Sequence, residues 1–169
     1  LLLDSANVGV LRQYAAFLAN QNKHSQAVTY YKKALLNTQT DDVRAAILNN
    51  LGNARRANGQ LTEAGADYAA ALDLFRKLSA TRYDEFAPFV ALTLNNLGNY
   101  YRKRPDSANF YDAMAAFKEA LGIYEQLDKA NNHDYQPYTA LTLNNLGRVY
   151  YEAKKMRLAK QAFEKSLDI

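Results

Sequence analysis

Leu48-Asn49-Asn50-Leu51-Gly52 is spelled again, letter for letter, at Leu94–Gly98 and at Leu143–Gly147. Each copy leads into text of the same kind, so one structural unit is repeated and the repeat fixes the architecture. With the glycines as register marks, Ala64, Tyr68 and Ala71 follow Gly52, and Ala159, Phe163 and Ser166 follow Gly147 at the same offsets. After Gly98 the group falls three residues later, as Ala113, Phe117 and Ala120. A divergent first copy has Ala15 at the glycine site and continues with Ala27, Tyr31 and Ala34.

Each unit therefore reads as two helices. Leu48, Leu51, Gly52 and Arg55 lie at offsets of three, four and seven, which is one face of a helix. Ala64, Tyr68, Ala71, Leu72 and Phe75 form the stripe of a second helix. Asn58-Gly59 supplies a stop, and Thr62-Glu63 a start. Glycine within a helix costs about 1 kcal/mol relative to alanine. Its return at one phase predicts a partner helix too close for a larger side chain, and Ala15 at the matching site agrees.

The order of a large apolar residue, a Leu-Gly or small pair, then Ala–Phe/Tyr–Ala resembles the tetratricopeptide repeat over nearly the whole chain. The small sites stand 37, 46 and 49 residues apart, longer than the usual spacing of about 34. Thr-Leu-Asn-Asn-Leu-Gly is most similar to the longer-repeat branch of kinesin light chains and bacterial tetratricopeptide proteins. The match between Glu85–Leu92 and Asp134–Leu141, with Pro88 and Pro137 in register, adds an N-terminal turn to the first helix. The resemblance implies an all-α, right-handed superhelical solenoid of about four helix-turn-helix units. These fall at about 5–37, 41–78, 84–128 and 133–169, in one solenoid over 1–169. In the third unit Pro105 is expected to end the first helix, and Asp106 or Ser107 to cap the second. The chain does not begin with Met and stops at Ile169 without a polar capping helix, so more repeats or a further domain are expected around it.

In such solenoids the first helices line a concave groove. One step round from the core face lie Asn49, Asn53 and Arg56, then Asn95, Asn99 and Arg102, then Asn144, Arg148 and Tyr151. Asparagine offers a donor and an acceptor to peptide backbone, and arginine grips a carboxylate through two bonds. The resemblance thus implies a groove for an extended, acidic peptide. In the first unit Arg12, Ala16 and Ala19 occupy these sites and weaken that expectation. Asn50, Asn96 and Asn145 are placed nearer the seam between helices. Tyr31, Tyr68, Tyr101 and Tyr150 are expected in the core, with Tyr30, Tyr100 and Tyr151 more exposed. Phe86, Phe89, Tyr135 and Tyr138 are expected to pack between units.

Composition narrows the function classes. The 169 residues include no cysteine, which excludes disulfides, thiolate metal sites and a Cys nucleophile here. His24 and His133 stand in turn-like contexts in different units and read as solvated. No phosphate loop, nucleophile elbow or HExxH helix is present. No enzyme activity, metal or cofactor is expected. No apolar run reaches the roughly 20 residues of a membrane span. The net charge is +4, with 17 acidic residues interspersed. This favours acidic partners, and nucleic acid is disfavoured despite the Arg102-Lys103-Arg104 cluster. The expected function is a protein-interaction scaffold in a bacterial cytoplasm, the latter from resemblance alone. The alternatives are an architectural spacer or a self-association module, through the solenoid ends, without a groove ligand, or a non-catalytic sensor arm of a larger multidomain protein.

Overall fold

A computed structural model describes residues 7–104, 107–130 and 134–169. Among the described residues there are eight α-helices and no strand. They are α1 (Val8–Asn20), α2 (His24–Asn37), α3 (Asp41–Ala57), α4 (Leu61–Ser79), α5 (Tyr83–Arg102), α6 (Ser107–Ala130), α7 (Gln136–Glu152) and α8 (Met156–Leu167). The chain forms two compact units that divide after Leu78, so α1–α4 build one and α5–α8 the other.

Successive helices pair as hairpins. Gly52 and Asn53 both meet Tyr68, and Arg55 meets Asp67, so α3 and α4 run antiparallel. The glycine phase explains the closeness of these pairs. A Cβ on Gly52 would lie 2.7 Å from the Tyr68 ring, on Gly98 2.6 Å from Phe117, and on Gly147 2.7 Å from Phe163. The turns between paired helices repeat too. Asn22, Gly59 and Lys154 adopt positive φ of 59°, 80° and 57° at the matching place. The next amide in each donates five residues back: Lys23 to Leu18, Gln60 to Arg55, and Lys155 to Tyr150. This left-handed cap satisfies carbonyls that the helix end leaves open. Asn58-Gly59 thus stops α3 as its sequence requires, and α4 begins at Leu61, one residue ahead of Thr62.

The first unit's core joins α1, α2 and α3 through Leu11, Ala15, Leu18, Val28, Tyr31, Ile47, Leu51 and Ala54. The second unit's core joins α5–α8, with Phe117, Leu146, Val149 and Ala159 among its residues. Two polar pins set the helix order. Asp67 takes two bonds of 2.6 Å from Arg55 Nη1 within the first unit. Burial pushes the Asp67 carboxyl above its ordinary range, and the Arg55 contacts recover only part of that cost. In the second unit buried Asp128 accepts from the Tyr135 backbone N–H at 2.6 Å and from Thr139 Oγ1 at 3.1 Å. It ties the end of α6 to the start of α7.

Two expectations need correction. Tyr100 is buried and Tyr101 only half-buried, the reverse of the predicted order. The rings contact each other at 5.2 Å, and Arg104 covers Tyr100 with a 2.8 Å bond to its hydroxyl. Pro88 and Pro137 also differ in place. Pro137 sits in the first turn of α7, whereas α5 extends a further turn upstream and holds Pro88 inside it. Pro105, Asp106 and the side chain of Ser107, assigned to the third unit's turn, lie outside the described residues, as does His133.

The glycine contacts give a sign test. Gly98 faces a fully buried ring, while a Cβ on helical Gly122 meets nothing within 4 Å. Overpacking typically costs about 1–3 kcal/mol, against a propensity gain of up to about 1 kcal/mol. Gly98→Ala should therefore lower stability by about 1–2 kcal/mol, and Gly122→Ala should raise it by about 0.5–1 kcal/mol. Thermal unfolding followed by circular dichroism reads both; equal effects at the two sites would show that the Phe117 ring is not the constraint.

Candidate functional site

In the second unit the two helices that carry the repeated asparagines, α5 and α7, lie side by side and parallel. In the second unit Asn95 of α5 bonds Thr142 of α7, and Arg102 bonds Glu152, at nearly constant sequence offset. The surfaces that the asparagine-bearing helices leave open form one candidate face in each unit.

On the first unit the face contains two clefts. One, of about 310 Å³, is lined by Ala16, Ala19, His24, Tyr31, Asn50 and Asn53. The other, of about 290 Å³, is lined by Gly9, Arg12, Gln13, Ala16 and Asn50. They share Ala16 and Asn50 and so run on along α1 and α3. Small side chains at Ala16, Ala19 and Ala57 make the space. Arg12 forms no ion pair, and the Asn50 side chain no hydrogen bond, among the described residues. His24 is half-buried in the cleft wall rather than solvated. Its Nδ1 is enclosed without a hydrogen-bond partner.

The predicted ladder is split by this geometry. Asn49 and Asn95 are buried, not open to a groove. Asn95 Nδ2 donates to Thr142 Oγ1 at 2.8 Å and to the Ala91 carbonyl at 3.4 Å, so its amide joins α5 to α7. Arg102 is engaged as well. Its side chain is only 10% exposed and is held by Glu152 at 2.5 Å, which removes it as a free carboxylate grip. Within the basic cluster, Arg104 bonds Tyr100, leaving Lys103 exposed.

The remaining ladder residues are closer to expectation in position. Asn53 and Arg56 are half-buried and converge on one hydroxyl: Tyr68 donates to Asn53 Oδ1 at 2.8 Å and accepts from Arg56 Nε at 3.3 Å. Burial, offset in part by Arg56, raises the Tyr68 hydroxyl above its ordinary value. Asn99 is half-buried and donates to the Asn95 carbonyl at 3.2 Å. On α7, Asn144 is half-buried, and Arg148 and Tyr151 are exposed.

Sequence reasoning missed Asn50 and the first unit's α1. Both Asn-Asn positions look alike by composition, and a shift of 100° per residue decides which one is enclosed. The usable signal was the run of small residues at Ala16 and Ala19, which marks where a helix surface is hollow.

Among the described residues no group of three or more His, Asp or Glu side chains is placed to hold a metal. No described helix is long and apolar enough to cross a membrane.

Hairpins of this register, with glycine beneath an aromatic ring, define a helical-repeat scaffold. Residues 44–80 and 139–169 match the pattern of the tetratricopeptide-repeat family. No curated protein matches the sequence. Among solved structures, BtubC (BKLC) from P. vanneervenii aligns with a TM-score of 0.81 and 23% identity over 95% of this chain. The present chain spans 62% of that protein's length. MamA aligns with a TM-score of 0.56 and 18% identity, over 98% of this chain and 79% of its own. At these identities the likeness concerns the fold. Tetratricopeptide repeats are in general non-catalytic scaffolds that bind proteins or peptides.

The corrected role of Asn95 is measurable. Asn95→Ala should cost about 1–2 kcal/mol of stability in chemical denaturation through the lost α5–α7 bond. Arg148→Ala, on an exposed side chain, should stay within about 0.5 kcal/mol. Equal, small effects would return Asn95 to the open surface.

Proposed function

We infer that this chain is a protein-interaction module that binds an extended peptide of acidic character along its asparagine-bearing helices. The observation that carries the reading is the paired cleft on α1 and α3, with unpaired Arg12 and Asn50 on its walls. An asparagine amide can both donate to and accept from a peptide backbone. An arginine beside it favours a carboxylate at short range. The hollow at Ala16 and Ala19 leaves room for the side chains of an extended segment. On the second unit Asn144, Arg148 and Tyr151 offer the same chemistry, with an exposed ring that can stack on a ligand side chain.

Affinity for a groove of this size is expected near the micromolar range. Peptide display on the 169-residue chain should enrich sequences rich in Asp and Glu. A selected peptide should lose about tenfold or more in affinity to Arg12→Glu combined with Asn50→Ala, and should bind more weakly as salt rises. Binding that is unchanged in that variant, measured by fluorescence anisotropy, would reject the α1/α3 cleft as the peptide site.

A further inference from the structure

The first repeat keeps a ring hydroxyl but not the side chains that satisfy it elsewhere. In the register that carries Ala15 onto Gly52, a shift of 37 residues, Tyr31 matches Tyr68, Ala16 matches Asn53 and Ala19 matches Arg56. The second repeat closes on its own ring: Tyr68 donates to Asn53 Oδ1 at 2.8 Å and accepts from Arg56 Nε at 3.3 Å. Where the ring has no hydroxyl, the same two positions bond elsewhere. With Phe117 as the ring, Asn99 donates to the Asn95 carbonyl and Arg102 pairs with Glu152. The first repeat has the hydroxyl and, in place of both partners, two methyl groups.

Tyr31 is 3% exposed and makes no hydrogen bond among the described residues. Burial raises its hydroxyl above the ordinary value, and nearby Arg12 offsets part of that rise, so the group keeps its proton and is a donor. A buried hydroxyl without a partner is costly. This one borders the cleft of about 310 Å³ that Ala16 and Ala19 open, whose walls belong to α1, α2 and α3. None of the described residues bordering it carries a carboxylate, an ammonium or a guanidinium. Asn50, with its amide unbonded among the described residues, stands on the same wall and continues into the adjoining cleft beside Arg12.

We propose that this cleft takes a primary carboxamide side chain, glutamine or asparagine, from the bound peptide. The ligand oxygen accepts from the Tyr31 hydroxyl, as Asn53 Oδ1 accepts from Tyr68, and the ligand NH2 donates to the Asn50 amide oxygen. A carboxylate here would be desolvated without a guanidinium or ammonium beside it, and an apolar side chain would leave the hydroxyl unpaired. The acidic residue of the peptide meets Arg12 in the adjoining cleft instead. The inference rests on the α1/α3 cleft being the peptide site and adds to it the residue type that the cleft selects.

The probe is a phage library of random peptides selected on the 169-residue chain. Binders should carry glutamine or asparagine at a fixed place near an acidic residue. In a synthetic binder, changing that carboxamide residue to glutamate or to methionine should each weaken binding about tenfold or more. Tyr31→Phe should leave the circular dichroism spectrum unchanged, because Phe117 and Phe163 hold this position in other repeats. It should bring the affinities of the glutamine and methionine peptides to within about twofold of each other. Ala16→Asn with Ala19→Arg copies the second repeat onto the first; it should give Tyr31 its partners, fill the cleft and weaken binding about tenfold or more, with the helices intact. A glutamine preference that survives Tyr31→Phe would overturn the proposal. So would binders that depend on Arg12 and Asn50 yet carry no fixed carboxamide, and the cleft would then remain the peptide site. Binders indifferent to Arg12→Glu with Asn50→Ala, or a library that yields none, would overturn both.

Discussion

Three of the four hairpins depend on one contact, the closure of an aromatic ring over a residue without a side chain. Tyr68 on Gly52, Phe117 on Gly98 and Phe163 on Gly147 bring paired helices so near that a methyl group would overlap the ring. Glycine weakens a helix, and three such positions would be a poor choice for helices standing alone. The loss is offset because Tyr68 and Phe117 become fully buried at the contact and align the small residues of their helix on either side. Ala64 and Ala71, and likewise Ala113 and Ala120, are wholly buried beside them. The ring fixes distance and the alanines permit it, so the hairpin is specified by shape more than by area.

Polar pins then fix what shape leaves loose. Arg55–Asp67 is well formed, and burial raises the Asp67 carboxyl above its ordinary range despite the guanidinium, so the pair fixes registry at a desolvation cost. Asp128 acts similarly at the α6–α7 junction, where one carboxylate receives both a backbone and a hydroxyl donor. Asn95 and Thr142 do the same between α5 and α7. Each sits where two helices must take one angular setting out of several with similar apolar burial.

The hairpins were legible in the sequence because the glycine phase has a single physical reading. Ala15, Ala27, Tyr31 and Ala34 show this best: a copy lacking the signature string still folds in register, with all four buried. The end of α3 was equally legible, since Gly59 adopts the left-handed conformation that its position demands. Asn22 is of a type that tolerates the same conformation, whereas at Lys154 it is imposed on a residue that does not advertise it. The site was less legible. Asn95 and Arg102 have the residue types of a binding ladder, but Thr142 and Glu152 on the neighbouring helix consume them. Those partners lie 47 and 50 residues away, and no local pattern announces them.

The doubled asparagine explains why reading one helix at a time falls short. Consecutive residues point about 100° apart, and the Leu and Gly that follow are committed to the core. Of two adjacent amides, one must then turn inward and the other toward the open side. In α3, Asn49 is buried while Asn50 borders both clefts. In α5, Asn95 is buried and Asn96 half-exposed. In α7 the order inverts, with Asn145 buried and Asn144 half-exposed. One pair of identical letters therefore serves both jobs, joining helices and facing the open side.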